Sequence, residues 1–196
     1  TAAAENIANL RKLSFRRILT HCPHCLNTFA NEYGQFDGGA FEVVHHTQLI
    51  AGLAAAGRLP LEAHAEHTAV FHDPCYLGRQ NGEFAAPRAA LAAVPGLRLV
   101  EAAQREARGL CCGGGGGQMW MDLHTRKRVN VVRAEDLMAT GAQAVAVGCP
   151  HCMTMLEDAR AVLGADERLH VRDIAEIVAA ALPAAQTAPA VVNSPP

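Results

Sequence analysis

Ala144-Val145-Ala146-Val147-Gly148-Cys149-Pro150-His151-Cys152 is the stretch whose reading decides the fold. Four small apolar residues in an unbroken run suit a strand buried on both faces, and the run ends at a Gly-Cys turn. Pro150 then fits the first turn of a helix, where its missing N–H would have no partner anyway. The same grammar recurs along the chain. Strands are predicted over 17–20, 41–45, 69–72, 97–101 and 144–148, and helices over 23–33, 47–56, 86–93, 119–140 and 150–163. Strand, turn and helix repeated in this way imply an α/β protein with a mainly parallel sheet flanked by helices. Ligands in such folds gather at the carboxyl ends of the strands. Cys22, Cys75 and Cys149 each stand just past such an end.

Sliding the sequence by 127 positions lays Cys22-Pro23-His24-Cys25 on Cys149-Pro150-His151-Cys152. It also lays Phe29 on Leu156, Asn31 on Asp158, Val44 on Val171 and Ile50 on Ile177. Two copies of one strand–CPHC–helix–strand–helix unit are therefore predicted. Residues 1–60 form an incomplete first repeat, 61–182 a complete second one, and 183–196 a flexible tail of mixed Pro, Ala, Ser, Thr and Asn. Thr1 in place of Met, followed at once by a helical pattern, marks the sequence as a piece of a longer protein. His45-His46 falls on Arg172-Asp173 in this register, which argues against a metal role for the histidine pair.

The cysteines make the chemical case. Thirty-five residues separate Cys75 from the vicinal pair Cys111-Cys112, and thirty-six separate that pair from Cys149. Three distant turns that converge would make a soft thiolate site of the kind that holds iron–sulfur clusters or zinc. Adjacent cysteines grip a single tetrahedral ion poorly, which favours a multi-iron cluster. Gly113 to Gly117 follow the pair directly, and glycine lets backbone N–H groups approach sulfur closely. CPHC at a helix start also lowers thiol pKa, so a thioredoxin-like dithiol is an alternative. That rival has no use for a second copy or for Cys111-Cys112. Cys75 lies in His72-Asp73-Pro74-Cys75-Tyr76-Leu77-Gly78-Arg79, which closes a strand, where His72 and Asp73 suit hydrogen bonds within the turn and Arg79 suits charge compensation. His24 and His151 are read as turn residues beside sulfur, and Trp120 as core.

Bulk properties agree. The chain has 196 residues, 50% hydrophobic, with net charge -2, enough for a sizeable core and without the basic stripe that nucleic acid demands. Arg126, Lys127 and Arg128 read as a solvated helix face. No apolar run approaches the roughly 18 residues of a membrane span. An odd count of seven cysteines, in CC and CxxC spacings, suits a reducing, cytoplasmic setting.

Cys, a gap, Cys-Cys-Gly, a similar gap and CxxC resemble the pattern of the cysteine-rich CCG domain of heterodisulfide reductase subunits and related iron–sulfur oxidoreductases. The stretches HDPCYLGR, CCGGGGGQMWMD and CPHCMTMLED are similar to the C-terminal part of membrane-associated reductases that pass electrons from electron-transfer flavoprotein toward quinone. Relatives serve glycolate, lactate and glycerol-3-phosphate oxidation. The resemblance implies a [4Fe-4S] cluster, in some relatives non-cubane, on Cys75, Cys111, Cys112, Cys149 and Cys152. Cys22 and Cys25 are left for an incomplete second site. It further implies a flavoprotein or dehydrogenase as electron donor, N-terminal ferredoxin-like and membrane segments in the parent protein, and a place at the inner face of the plasma membrane. A structural zinc module remains the competing class.

Overall fold

Side chains that alternate across a strand need a covered face on each side, and the central strands here have both. In the computed structural model, which describes residues 1–63, 68–121 and 127–183, every residue of β5 (Ala144–Val147) is buried. It lies between β3 (Thr68–Phe71) and β6 (His170–Asp173), with β4 (Arg98–Val100) on the outer edge of β3. All pairings in this sheet are parallel. Val70, Val145 and Val147 point to one face, where Leu137 of α5 (Val129–Met138) and Leu156 of α6 (Pro150–Val162) cover them. Phe71 and Ala146 point to the other, against Leu91 of α4 (Ala85–Ala92) and Ile174 and Ile177 of α7 (Ile174–Ala180). Each large aliphatic side chain buried this way contributes about 1.5–3 kcal/mol.

The first copy builds a smaller parallel pair, β1 (Ile18–Thr20) with β2 (Val43–His45). It is preceded by α1 (Ala2–Leu10) and followed by α3 (His46–Ala55), whose Ile50 and Ala51 join the second core. Between the strands, α2 (Pro23–Asn27) passes into a wider turn over Thr28–Glu32 and a tight one over Tyr33–Gln35. These account for the helix expected over 23–33. The mixed α/β class with parallel sheets flanked by helices is as the sequence implied.

Three expectations need correction. The helix foreseen over 119–140 does not exist as one element. Gly116 and Gly117 take φ of 63° and 75°, so Gly115–Trp120 is a broken 3-10 turn that ends extended at Met121. The next helix starts afresh at Val129. Within that expectation 122–126, Arg126 included, lies outside the described residues, as does 184–196 of the expected tail. Lys127 and Arg128 precede α5 and pair with Glu135 and Asp158 instead of forming a solvated helix face. Lastly, the repeat slips by one residue beyond its helix. Thr20 pairs with His45 in the first copy and Val147 with Asp173 in the second. His45 thus corresponds to Asp173, and both are N-caps of capping boxes closed by Gln48 and Glu176.

Candidate metal centre

Each sulfur of the second copy is delivered by a different local device. Cys149 is the extended N-cap of α6 and Pro150 its first residue, which turns Cys152 inward one turn later. Cys75 follows the carboxyl end of β3 at the start of the helical turn Tyr76–Gln80. Cys111 and Cys112 arrive on a loop with no regular structure of its own, so other groups must hold it. Asp73 Oδ2 accepts the Glu106 N–H at 2.8 Å, where Glu106 takes a left-handed φ of 53°. Arg88 donates to both Asp73 oxygens at 2.8 and 3.0 Å and pairs with Glu101 at 2.7 Å. Arg79 donates to the Gly109 carbonyl at 2.8 Å. The turn HDPC therefore positions the CC loop, and Arg79 does so through backbone.

The glycines after the pair have two distinct reasons. Gly113 has φ of 82° and its N–H donates to Cys111 Sγ at 3.2 Å. At Gly114 a Cβ would stand 3.2 Å from Met155 Cγ and 3.7 Å from Cys112 Sγ, so a side chain would crowd the sulfurs.

The result is a continuous run of thiols. Each thiol perturbs the next: Cys111 acts on Cys75, Cys112 on Cys111, Cys152 on Cys112, and Cys149 on Cys152. Cys112, Cys149 and Cys152 are buried and pack with Met155. All but Cys111 line a cavity of about 290 Å³ whose rim carries Met119, Trp120 and the glycines. Trp120 is 84% exposed at that rim, so it is not the core residue expected of a lone tryptophan.

Charge is shared unevenly along the run. Neighbouring Cys112 and Cys75 thiols hold Cys111 well below the usual thiol range. Its hydrogen bond raises Cys75 far above that range and pushes Cys112 up to about 11. Cys152, bonded to Cys112 and Cys149, is also raised, while its thiol lowers Cys149. Negative charge is favoured at Cys111 and Cys149, and protons at Cys75, Cys112 and Cys152. A bound cation would displace those protons, which is how metal affinity becomes pH-dependent.

Behind the sulfurs stand two residues that the fold hides. His72 is 1% exposed and Arg133 0% exposed. Arg133 Nε donates to His72 Nδ1 at 3.0 Å. Burial, reinforced by Arg133, pushes His72 down to about 3. Neither Arg88 nor Arg133 was legible as part of the site. Arg133 sits on α5, 61 positions from His72, and reads in sequence as a surface cation.

The first copy's turn lies beside the second. Cys22 is buried and Cys25 exposed. Cys22 Sγ lies 3.9 Å from His24 Nδ1, and the His24 and His151 rings are 5.0 Å apart. Among the described residues, Cys22, His24 and His151 form one group able to hold a metal ion, and His72, Cys112 and Cys152 another. His45 and His46 stay apart from both. His45 bonds Thr47 and the His21 carbonyl, and His46 lies 3.0 Å from Asp173.

The profile of the cysteine-rich CCG domain matches residues 1–30 and 69–157, which take in all seven cysteines. The chain belongs to the CCG domain family. It is 41% identical, over 90% of its length, to a Bacillus subtilis protein named "Probable iron-sulfur-binding oxidoreductase FadF", of which it covers 25%. It is 33% identical, over 91% of its length, to the EtfAB:quinone oxidoreductase of Syntrophomonas wolfei, covering 26% of that protein. It is also 34% identical, over 92% of its length, to one component of the dihydromethanophenazine:CoB–CoM heterodisulfide reductase of Methanosarcina barkeri, covering 44% of that component. The chain thus spans about a quarter to under half of these relatives.

Proposed function

We propose that this CCG domain is an iron–sulfur electron-transfer module of a larger oxidoreductase. One [4Fe-4S]-type cluster would sit on Cys75, Cys111, Cys112, Cys149 and Cys152, in cubane or non-cubane form. The observation that carries the reading is the convergence of five cysteines, four of them, Cys75, Cys112, Cys149 and Cys152, lining one cavity with Cys111 next to Cys75 and Cys112. The donor set fits the group. Four cysteine sulfurs line the cavity, with the His24 and His151 rings also on its wall; soft ligands select iron–sulfur or zinc, and a vicinal pair suits several metal atoms better than one. When bound, the cluster would accept and release single electrons. The residues hold it, keep water away through Met119 and Met155, and supply backbone N–H groups to sulfur.

On this reading the electron donor is a flavoprotein or dehydrogenase and the acceptor a quinone, in line with the relative named EtfAB:quinone oxidoreductase. They also favour a parent protein with further segments. A relative named as a probable membrane-anchored ferredoxin supports attachment of the parent protein to a membrane, on our reading at its cytoplasmic face, although no helix among the described residues is long and apolar enough to cross one. We divide the chain into an incomplete first repeat over 1–60 and a complete second over 61–182. The exposures of Cys149 and Cys152, 1% and 3%, speak against dithiol exchange with a protein disulfide.

Anaerobic quantification of iron and acid-labile sulfide, with electron paramagnetic resonance, tests the assignment. The expected result is about four iron and four sulfide per chain. About one zinc and no sulfide would overturn it in favour of a structural clamp.

A further inference from the structure

We infer that His72 is a hydrogen-bond donor to the sulfur atoms of this centre, held in that role by Arg133, and that the pair raises the reduction potential of what the cysteines bind. The inference rests on the cluster reading above. Its first step is the direction of one hydrogen bond. A guanidinium has only donors, so the 3.0 Å contact from Arg133 Nε requires His72 Nδ1 to accept. An imidazole accepting at Nδ1 carries its proton on Nε2.

Arg133 cannot turn away. Its Nη1 donates to the Gln104 carbonyl at 2.9 Å and to Asp136 at 2.5 Å, and its side chain is fully buried.

The second step is where that proton points. His72 Nε2 is buried and meets no hydrogen-bonding partner. The ring lies against the thiols, with one ring nitrogen, Cys112 Sγ and Cys152 Sγ all within 4.8 Å of one another. Leaving a buried N–H unpaired is costly, and thiolate or sulfide sulfur is the acceptor chemistry at hand. Such a donor favours the more electron-rich state of the acceptor and so makes reduction easier. His72 accordingly tunes the centre without ligating it.

The experiment compares the anaerobically reconstituted chain with His72→Phe, which keeps bulk without a donor, and His72→Gln, which restores an N–H. Both variants should retain iron. The reduction equilibrium constant of His72→Phe should fall about tenfold, which for one electron is 59 mV toward negative potential, with His72→Gln recovering part of it. An unchanged potential in iron-replete His72→Phe overturns the inference. So does a strong ¹⁴N coupling to the native centre that vanishes in His72→Phe, since His72 would then be a ligand. If the native chain takes up no iron, the cluster reading fails. In that case, or if His72→Phe does not fold, ¹⁵N resonances of the native metal-free chain decide. The Nε2–H tautomer supports the inference and the Nδ1–H tautomer overturns it.

Discussion

Two Cys-Pro-His-Cys turns are built alike and end in different surroundings. Each follows a parallel strand, each puts Pro in the first helical turn, and each has its first cysteine as an extended N-cap. Yet Cys152 is 3% exposed while Cys25, its counterpart, lies open. The local sequence makes the turn; remote segments make the site. Cys75 and the Cys111-Cys112 loop close over the second turn, whereas the first sets its His24 ring 5.0 Å from that of His151.

The sharpest way to break this comparison is to remove one sulfur from each turn. Cys152→Ser should abolish the iron content and the visible absorbance of the anaerobically purified chain, because Cys152 packs with Cys112 and Cys149 at the cavity. Cys25→Ser should leave both near the native level. Equal iron loss in the two variants, measured colorimetrically per chain, would show that the turns share one centre and that the difference in burial carries no chemical meaning.

Much of the second site was legible before the fold was known. The Ala-Val run of β5 and the Pro after Cys149 are local signals, and a parallel α/β frame brings strand ends together, so the meeting of three cysteine turns followed from spacing. What escaped was non-local. The one-residue slip at β6 leaves the hydrophobic pattern of an ungapped match almost untouched, since the strand has only four residues and one buried Val. Trp120 was misjudged because residue type favours the core, while positive φ at Gly116 and Gly117 breaks the helix that would have carried it there. The His72–Arg133 pair depends on α5 packing against the sheet face that carries Val70 and Val145, which periodicity of α5 alone does not encode.

A second contrast concerns how each turn's surroundings are held. The second site relies on Asp73, whose side chain is 3% exposed and clamps both Arg88 and the Glu106 N–H. Among the described residues of the first copy no equivalent ion pair links a strand end to a cysteine loop. Asp73→Ala leaves Arg88 with Glu101 and the Phe84 carbonyl and frees the strained backbone at Glu106. The expected loss is about 3 kcal/mol in urea unfolding of the metal-free chain, on the scale of a buried pair deprived of one partner. Glu42, which pairs with Arg17 at the surface, provides the control, and Glu42→Ala should cost at most about 1 kcal/mol. Similar losses would mean that the clamp does not distinguish the copies.

The smallest effect lies where the two copies correspond most closely, at the N-caps His45 and Asp173. His45 is fully buried, and burial, with His46 4.4 Å away ring to ring, lowers it to about 4 from its usual 6.5. Asp173, facing it across His46, and the His21 carbonyl oppose that shift without cancelling it. Because the folded value is depressed, the unfolded chain binds more protons between pH 6.5 and 4. The contribution is therefore complete above about pH 6.5 and is lost as pH falls toward 4, about 2.5 kcal/mol of it by pH 4.5 at 1.36 kcal/mol per unit. His45→Asn keeps an N-cap and removes the titration. Urea unfolding of the metal-free chain from pH 7 to pH 4.5 should lose less stability in His45→Asn than in the native chain. Parallel pH profiles would assign the acid sensitivity to groups outside the first copy's cap.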